Sequence, residues 1–110
     1  LSLHDALPIY GDYFRIGNGA MVHMLEYCSE QTAWMIGKPH EPMLKEALRY
    51  AGIAKEDAVV IGDNLETDVA FGLRHGCTSV FVTSGVHSRL DCEQRCLHPD
   101  LIIDNLLELV

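Results

Sequence analysis

Ala58–Asp68, A-V-V-I-G-D-N-L-E-T-D, is the stretch on which the fold turns. Ala58–Ile61 is a short apolar run of the kind buried on both faces of a parallel sheet. Gly62 breaks that run, and Asp63 stands where the strand ends. In open α/β sheets, ligands bind beyond the carboxyl ends of the strands, so Asp63 falls where chemistry is done. Asp68 follows at the front of the next helical pattern. Two carboxylates on one loop suit a hard cation such as Mg²⁺, which takes oxygen ligands and keeps several waters. The plainer reading makes Asp63 a turn former and Asp68 a negative charge placed in a helix's first turn. This stretch alone leaves both readings open.

Downstream of it, a helix is expected over 67–75, with Val69 and Leu73 inward and Gly76 as the stop. Thr78–Val82 is β-branched and aromatic enough to be the next strand. Thr83-Ser84-Gly85 then opens a second loop on the same sheet edge as Asp63. A short helix near 88–95, a strand over 101–103 and a last helix over 105–110, capped by Asp104, complete that side. Upstream, Pro42 fits the first turn of a helix over 41–50. Leu44, Ala47, Leu48 and Ala51 form its buried stripe, and Gly52 ends it. A strand over 32–36 is expected to close on Gly37-Lys38-Pro39. Before it, the turn Gly17-Asn18-Gly19 leads to a helix over 20–30. Its stripe of Met21, Met24, Leu25 and Cys28 reads as core filler. Alternation of strand and helix predicts a parallel sheet wrapped by helices, the α/β, doubly wound class.

Composition narrows the functions. A chain of 110 residues, 48% hydrophobic and 22% charged, has the size and make-up of one globular domain with a real core. The net charge of −8 argues against a nucleic acid polymer as the natural partner, because phosphate backbones need a surplus of Lys and Arg. A small anionic substrate remains compatible if one Lys is well placed. No apolar run approaches the roughly 20 residues of a membrane span, so no membrane partner is expected, and no secretory signal is seen. Cys28, Cys77, Cys92 and Cys96 form neither a C-x-x-C pair nor a disulfide framework, which points to a reducing cytoplasm. Cys92, Cys96 and His98 lack a fourth zinc ligand at finger-like spacing and read as packing and surface residues.

Three segments together carry a resemblance: G-K-P-H-E-P-M-L-K-E-A-L from Gly37, V-V-I-G-D-N-L-E-T-D-V from Val59, and G-C-T-S-V-F-V-T-S-G-V from Gly76. They resemble the C-terminal half of a haloacid dehalogenase (HAD) superfamily phosphatase of the NagD-like branch, over about Gly17 to the end. The resemblance implies a partial, Rossmann-like core and a Mg²⁺-dependent hydrolase of small phosphate esters. Position by position, Lys38 resembles the family's motif lysine, which holds the phosphoryl group and the nucleophilic carboxylate. An ammonium there stabilises a transferring phosphoryl by preorganised charge. Asp63 resembles the direct Mg²⁺ ligand. Asp68 resembles the outer carboxylate that orients metal-bound water or the lysine. Gly62, Asn64 and Thr67 would support the loop, Thr67 with a capping role open to it.

The family's first motif is an apolar strand ending in D-x-D, which supplies the nucleophile and the general acid/base. No D-x-D follows any strand here, and no Ser or Thr ends a strand upstream of Lys38. Leu1–Ile9, L-S-L-H-D-A-L-P-I, is what CTT TCC CTA CAC GAC GCT CTT CCG ATC encodes, a string resembling a sequencing adapter translated in one frame. The expected organisation is therefore an artefactual segment over 1–9, the tail of a cap domain over 10–32, and the rear of a hydrolase core over 33–110. Such a piece is expected to be inactive and to leave the strand at 58–61 as an unguarded edge. Two other classes bear comparison. A receiver-like phospho-acceptor places its lysine after the acceptor Asp, the reverse of the order here. A non-catalytic metal- or phosphate-binding module would need only the half-site present. Neither the substrate nor the oligomeric state follows from these residues.

Overall fold

The computed structural model describes residues 9–10, 13–14 and 16–110. The expectation of an adapter scar over 1–9 thus lies, save for Ile9, outside the described residues. The chain divides into two units, Leu1–Trp34 and Met35–Val110.

In the first unit, β1 (Ile9–Tyr10) pairs antiparallel with β2 (Tyr13–Phe14), and α1 spans Asn18–Ser29. Gly17 is the residue before the helix, so the expected Gly-Asn-Gly turn is instead its first turn. The apolar stripe does not form core: Met21, Met24 and Leu25 are 55%, 60% and 62% exposed. Helical spacing places these residues on one face, but burial needs an opposing surface, and none of the described residues covers them.

The second unit is built on a parallel sheet, β3 (Val59–Gly62), β4 (Thr78–Val82) and β5 (Leu101–Ile103), in that order. The register pairs Gly62 with Phe81 and Phe81 with Ile102, which places these three on one face with Val60 and Ser79. That face is packed. Phe81 meets Leu65, Val69 and Cys92, with Leu73, Leu97 and Ile102 around them. Val60 lies against Leu44, Phe71 and Cys77. The helical segment after β3 presses so closely that a Cβ on Gly72 would stand 2.9 Å from that of the fully buried Ser79. A larger residue at either position would part helix and sheet. The opposite face buries Val80, Val82 and Ile103 but leaves Val59 and Ile61 exposed.

The helices follow their sequence signals closely. α2 spans Glu41–Ala51, with Pro42 in its first turn and Gly52 at φ 69° closing it. After β3 the chain opens as a wide turn, Leu65–Val69, and continues as α3, Ala70–His75, closed by Gly76 at φ 74°. α4, Arg89–Gln94, starts from a reciprocal Ser88–Asp91 cap. Two expectations are corrected. Residues 32–36 form no strand, because no neighbouring strand among the described residues bonds to them. The last helix is a short 3₁₀ turn, Leu106–Leu109, capped by Asn105 rather than Asp104. Asp104 instead accepts from Thr83 Oγ1 at 3.1 Å and from Arg89 at 3.0 Å.

Candidate phosphoryl and metal site

β3 delivers Asp63 to the carboxyl edge of the sheet, and the loop after β4 closes over it. The Val86 N–H donates to Asp63 Oδ2 at 2.8 Å, and the His87 N–H donates to the Asp63 carbonyl at 3.3 Å. Gly85 lies so near that a Cβ there would overlap the Asp63 carboxylate. Asp63 Oδ1 has no hydrogen-bond partner among the described residues, so one oxygen is fixed and the other is open. Consecutive parallel strands end on the same edge, which is why the loop opening at Thr83-Ser84-Gly85 is expected on the same sheet edge as Asp63. The backbone contacts themselves have no signature in residue type.

Asn64 caps the wide turn: its Oδ1 accepts from the N–H groups of Glu66 at 2.9 Å and Thr67 at 3.2 Å. The capping side chain is therefore that of Asn64, and Thr67 contributes its backbone. The Asn64 carbonyl accepts from Asp68 N at 2.8 Å and from Val69 N at 3.2 Å. The second of these bonds is the i→i+5 geometry that widens a helix by one residue. His87 adds a support that sequence reasoning missed. Its Nδ1 accepts from Leu65 N at 3.2 Å, which requires that nitrogen to be unprotonated.

The turn aims Asp68 back beneath β3, where its side chain meets Gly62 with no room for a Cβ between them. Oδ2 accepts from Asn64 N at 3.2 Å, and Oδ1 accepts from Lys38 Nζ at 2.5 Å. The Asp68 side chain is 9% exposed and that of Lys38 43%. A nearly buried carboxylate needs both partners, and charge-assisted bonds of this length are the strong kind. The structure thus brings Lys38, Gly62, Asp63, Asn64 and Asp68 into one constellation, 30 residues of chain separating the ion-paired partners. Lys38 precedes a cis peptide to Pro39, whose carbonyl accepts from His75 Nε2 at 3.0 Å.

The donor set fits Mg²⁺ better than a metal held wholly by protein. Among the described residues no group of three His, Cys, Asp or Glu side chains could hold an ion. Mg²⁺ is held by one or two carboxylates plus waters and phosphate oxygens, and Asp63 offers one open oxygen beside a fixed one. Cys92 is not free for such a role, because it is buried and its Sγ donates to the Leu97 carbonyl at 3.0 Å.

Comparison with known proteins extends this geometry. A family model described as HAD-hydrolase-like matches residues 35–109. Dihydroxyacetone phosphatase of Corynebacterium glutamicum is 30% identical over 83% of this chain and 33% of its own length. The ribonucleotide monophosphatase NagD of Escherichia coli is 30% identical over 91% of this chain and 40% of its own. Among solved structures, the p-nitrophenyl phosphatase from Archaeoglobus fulgidus superposes with a TM-score of 0.79 at 29% identity, covering 96% of this chain and 42% of that one. The chain spans about a third to two-fifths of the length of the relatives it matches.

Proposed function

The chain belongs to the HAD-like hydrolase family, and we propose on that premise that the whole protein is a Mg²⁺-assisted phosphatase of small phosphate esters. The observation that carries this reading is the ion pair of Lys38 with Asp68 beside a carboxylate, Asp63, that keeps one oxygen open. A cation held by Asp68 and, on the same segment after β3, a carboxylate oxygen of Asp63 that accepts no hydrogen bond among the described residues suit a phosphoryl group and its metal. The similarity to enzymes named for dihydroxyacetone phosphate, ribonucleotides and p-nitrophenyl phosphate supports a small phosphate ester as the substrate class.

In this reading Asp63 would hold Mg²⁺, its carboxylate oriented by the Val86 N–H and the closeness of Gly85. The metal would supply charge neutralisation at the phosphoryl oxygens. Asp68 is the supporting carboxylate: it orients the Lys38 ammonium and stands one turn from the metal ligand. Lys38 Nζ presents its remaining protons to the phosphoryl group. Asn64 and Thr67, through the cap, and Gly62, through its closeness to Asp68, keep the loop in register. We assign the nucleophile and the general acid/base to residues outside these 110, since no D-x-D follows a strand here. The tail of a cap domain is assigned to 10–32 and the rear of the catalytic core to 33–110. Four free cysteines fit a reducing cytoplasm.

The test is hydrolysis of a phosphomonoester panel, 4-nitrophenyl phosphate included, by the full-length protein with and without Mg²⁺. Turnover should require the metal, and Asp63→Asn should cost about 10²-fold or more. Near-normal turnover by Asp63→Asn at saturating Mg²⁺ would overturn the metal assignment.

A further inference from the structure

We infer that His75 is a positioning residue for Lys38, holding the lysine's loop through the carbonyl of Pro39; this rests on Lys38 being the cation that faces the phosphoryl group. Lys38 is restrained at its side-chain tip by Asp68, but a lysine has a flexible four-carbon stem. Fixing the ammonium alone leaves the backbone below it free to shift. The structure closes that gap. His75 Nε2 lies 3.0 Å from the carbonyl of Pro39, the residue joined directly to Lys38. A carbonyl only accepts, so Nε2 carries the proton and donates.

The imidazole is itself well placed to act as a fixed point. Its ring meets Phe71 edge to face, with centroids 5.3 Å apart and planes at 77°, a geometry aromatic pairs favour. Phe71 is buried with Leu44 and Cys77. His75 ends α3, and Gly76 stops the helix directly behind it. Both restraints on Lys38 therefore come from one stretch, 65–75: Asp68 from its opening turn holds Nζ, and His75 from its last holds the adjoining carbonyl. That stretch also follows directly on Asp63 and is capped by Asn64. The spacing of Lys38 from Asp63 is in this way referred to a single helical segment rather than to two independent loops. A cation that acts by preorganisation loses effect when it is displaced by a fraction of an ångström.

Two substitutions separate the hydrogen bond from the packing. His75→Phe keeps a ring against Phe71 and removes the donor. His75→Gln keeps a donor near the Nε2 position and removes the ring. In the full-length protein, His75→Phe should lower kcat/KM about tenfold with an unchanged unfolding midpoint, and His75→Gln should recover most of the loss. Wild-type kinetics in His75→Phe, or equal losses in both variants, would overturn the proposal. A second measurement is independent of turnover. With limiting acetic anhydride and peptide mass spectrometry, acylation of Lys38 relative to Lys45 should rise in His75→Phe and return toward wild type in His75→Gln. An unchanged ratio in His75→Phe also overturns it. Lys38→Ala, assayed in parallel, keeps the two readings apart. Retained turnover there sinks the role of Lys38 in catalysis, while the acylation ratio still decides whether His75 holds the loop.

Discussion

The loop of Lys38, residues 37–40, and the loop of Asp63, residues 63–68, bear on one site but are held in different ways. The lysine loop has one internal turn bond, His40 N to Gly37 O at 3.0 Å, and two outside restraints, Asp68 and His75. The aspartate loop is packed from beneath by Asp68 against Gly62, capped within by Asn64, and bonded from above by Val86 and His87. A Cβ on Gly37 would meet nothing, whereas one on Gly62 or Gly85 would overlap a carboxylate side chain. The Asp63 half of the site is thus built into the packing, and the Lys38 half is hung upon it. The carboxylates of Asp63 and Asp68 stand where backbone and side chains leave no space for a further carbon, while the Lys38 side chain stays 43% exposed.

The largest test of this contrast is at the glycines. Gly62→Ala and Gly85→Ala should each destabilise by about 1–3 kcal/mol, the range for forcing extra carbon into packed structure. Gly37→Ala should fall within about 0.5 kcal/mol of wild type, as unencumbered surface changes do. Urea unfolding of the three variants checks it, and equal effects at Gly37 and Gly62 would erase the distinction.

The next effect is smaller. Asn64→Ala removes a cap and should cost about 1 kcal/mol. Lys38→Met leaves the Asp68 carboxylate with Asn64 N alone, yet the lysine is 43% exposed, so solvent screening holds the stability loss to about 1 kcal/mol or less. Thermal denaturation of the two variants ranks them; a larger loss at Lys38 would make the cationic half the structural one.

The smallest effect lies at the rim. Arg89, and then Thr83, hold the Asp104 carboxyl below its usual range. A depressed folded-state value contributes stability that is present above the unfolded carboxyl range, near pH ~4, and is lost as pH falls through the folded value. Acid titration should therefore loosen the start of the loop over Asp63 only below about pH 4. The Thr83 amide, which donates to the Ile103 carbonyl beside Asp104, should report the change by NMR, and Asp104→Asn should abolish it. A Thr83 shift unaltered in that variant would remove Asp104 from the support of this loop.

Much of this was legible from residue types. The strands at β3 and β4, the helix after Pro42, and the position of Asp63 at a strand end all follow from periodicity and from Gly and Pro. The partial parallel α/β core and its family followed as well, because Lys38, Asp63 and the T-S-G-V loop recur in a fixed order. Other features were not legible, for three reasons. The stripe of α1 was periodic, but a period states which residues share a face and not whether anything covers it. Residues 32–36 have strand-like composition, but a strand exists only through its neighbour. The bonds from Val86, His87 and His75 depend on where backbone groups point, which side-chain identity does not encode.

The wide turn at 65–69 gives the spacing between Asp63 and Asp68 a meaning of its own. A helical residue advances about 100° around its axis. Removing one residue between Asn64 and Asp68 would restore a regular turn and carry the carboxylate that far around it. Every side chain used by the site could then be present while Lys38 faced the wrong part of the helix. Substitutions within this segment are graded changes, but insertions and deletions are changes of reading frame in three dimensions. In this chain the number of residues between Asp63 and Asp68 therefore constrains the site as firmly as their identity does.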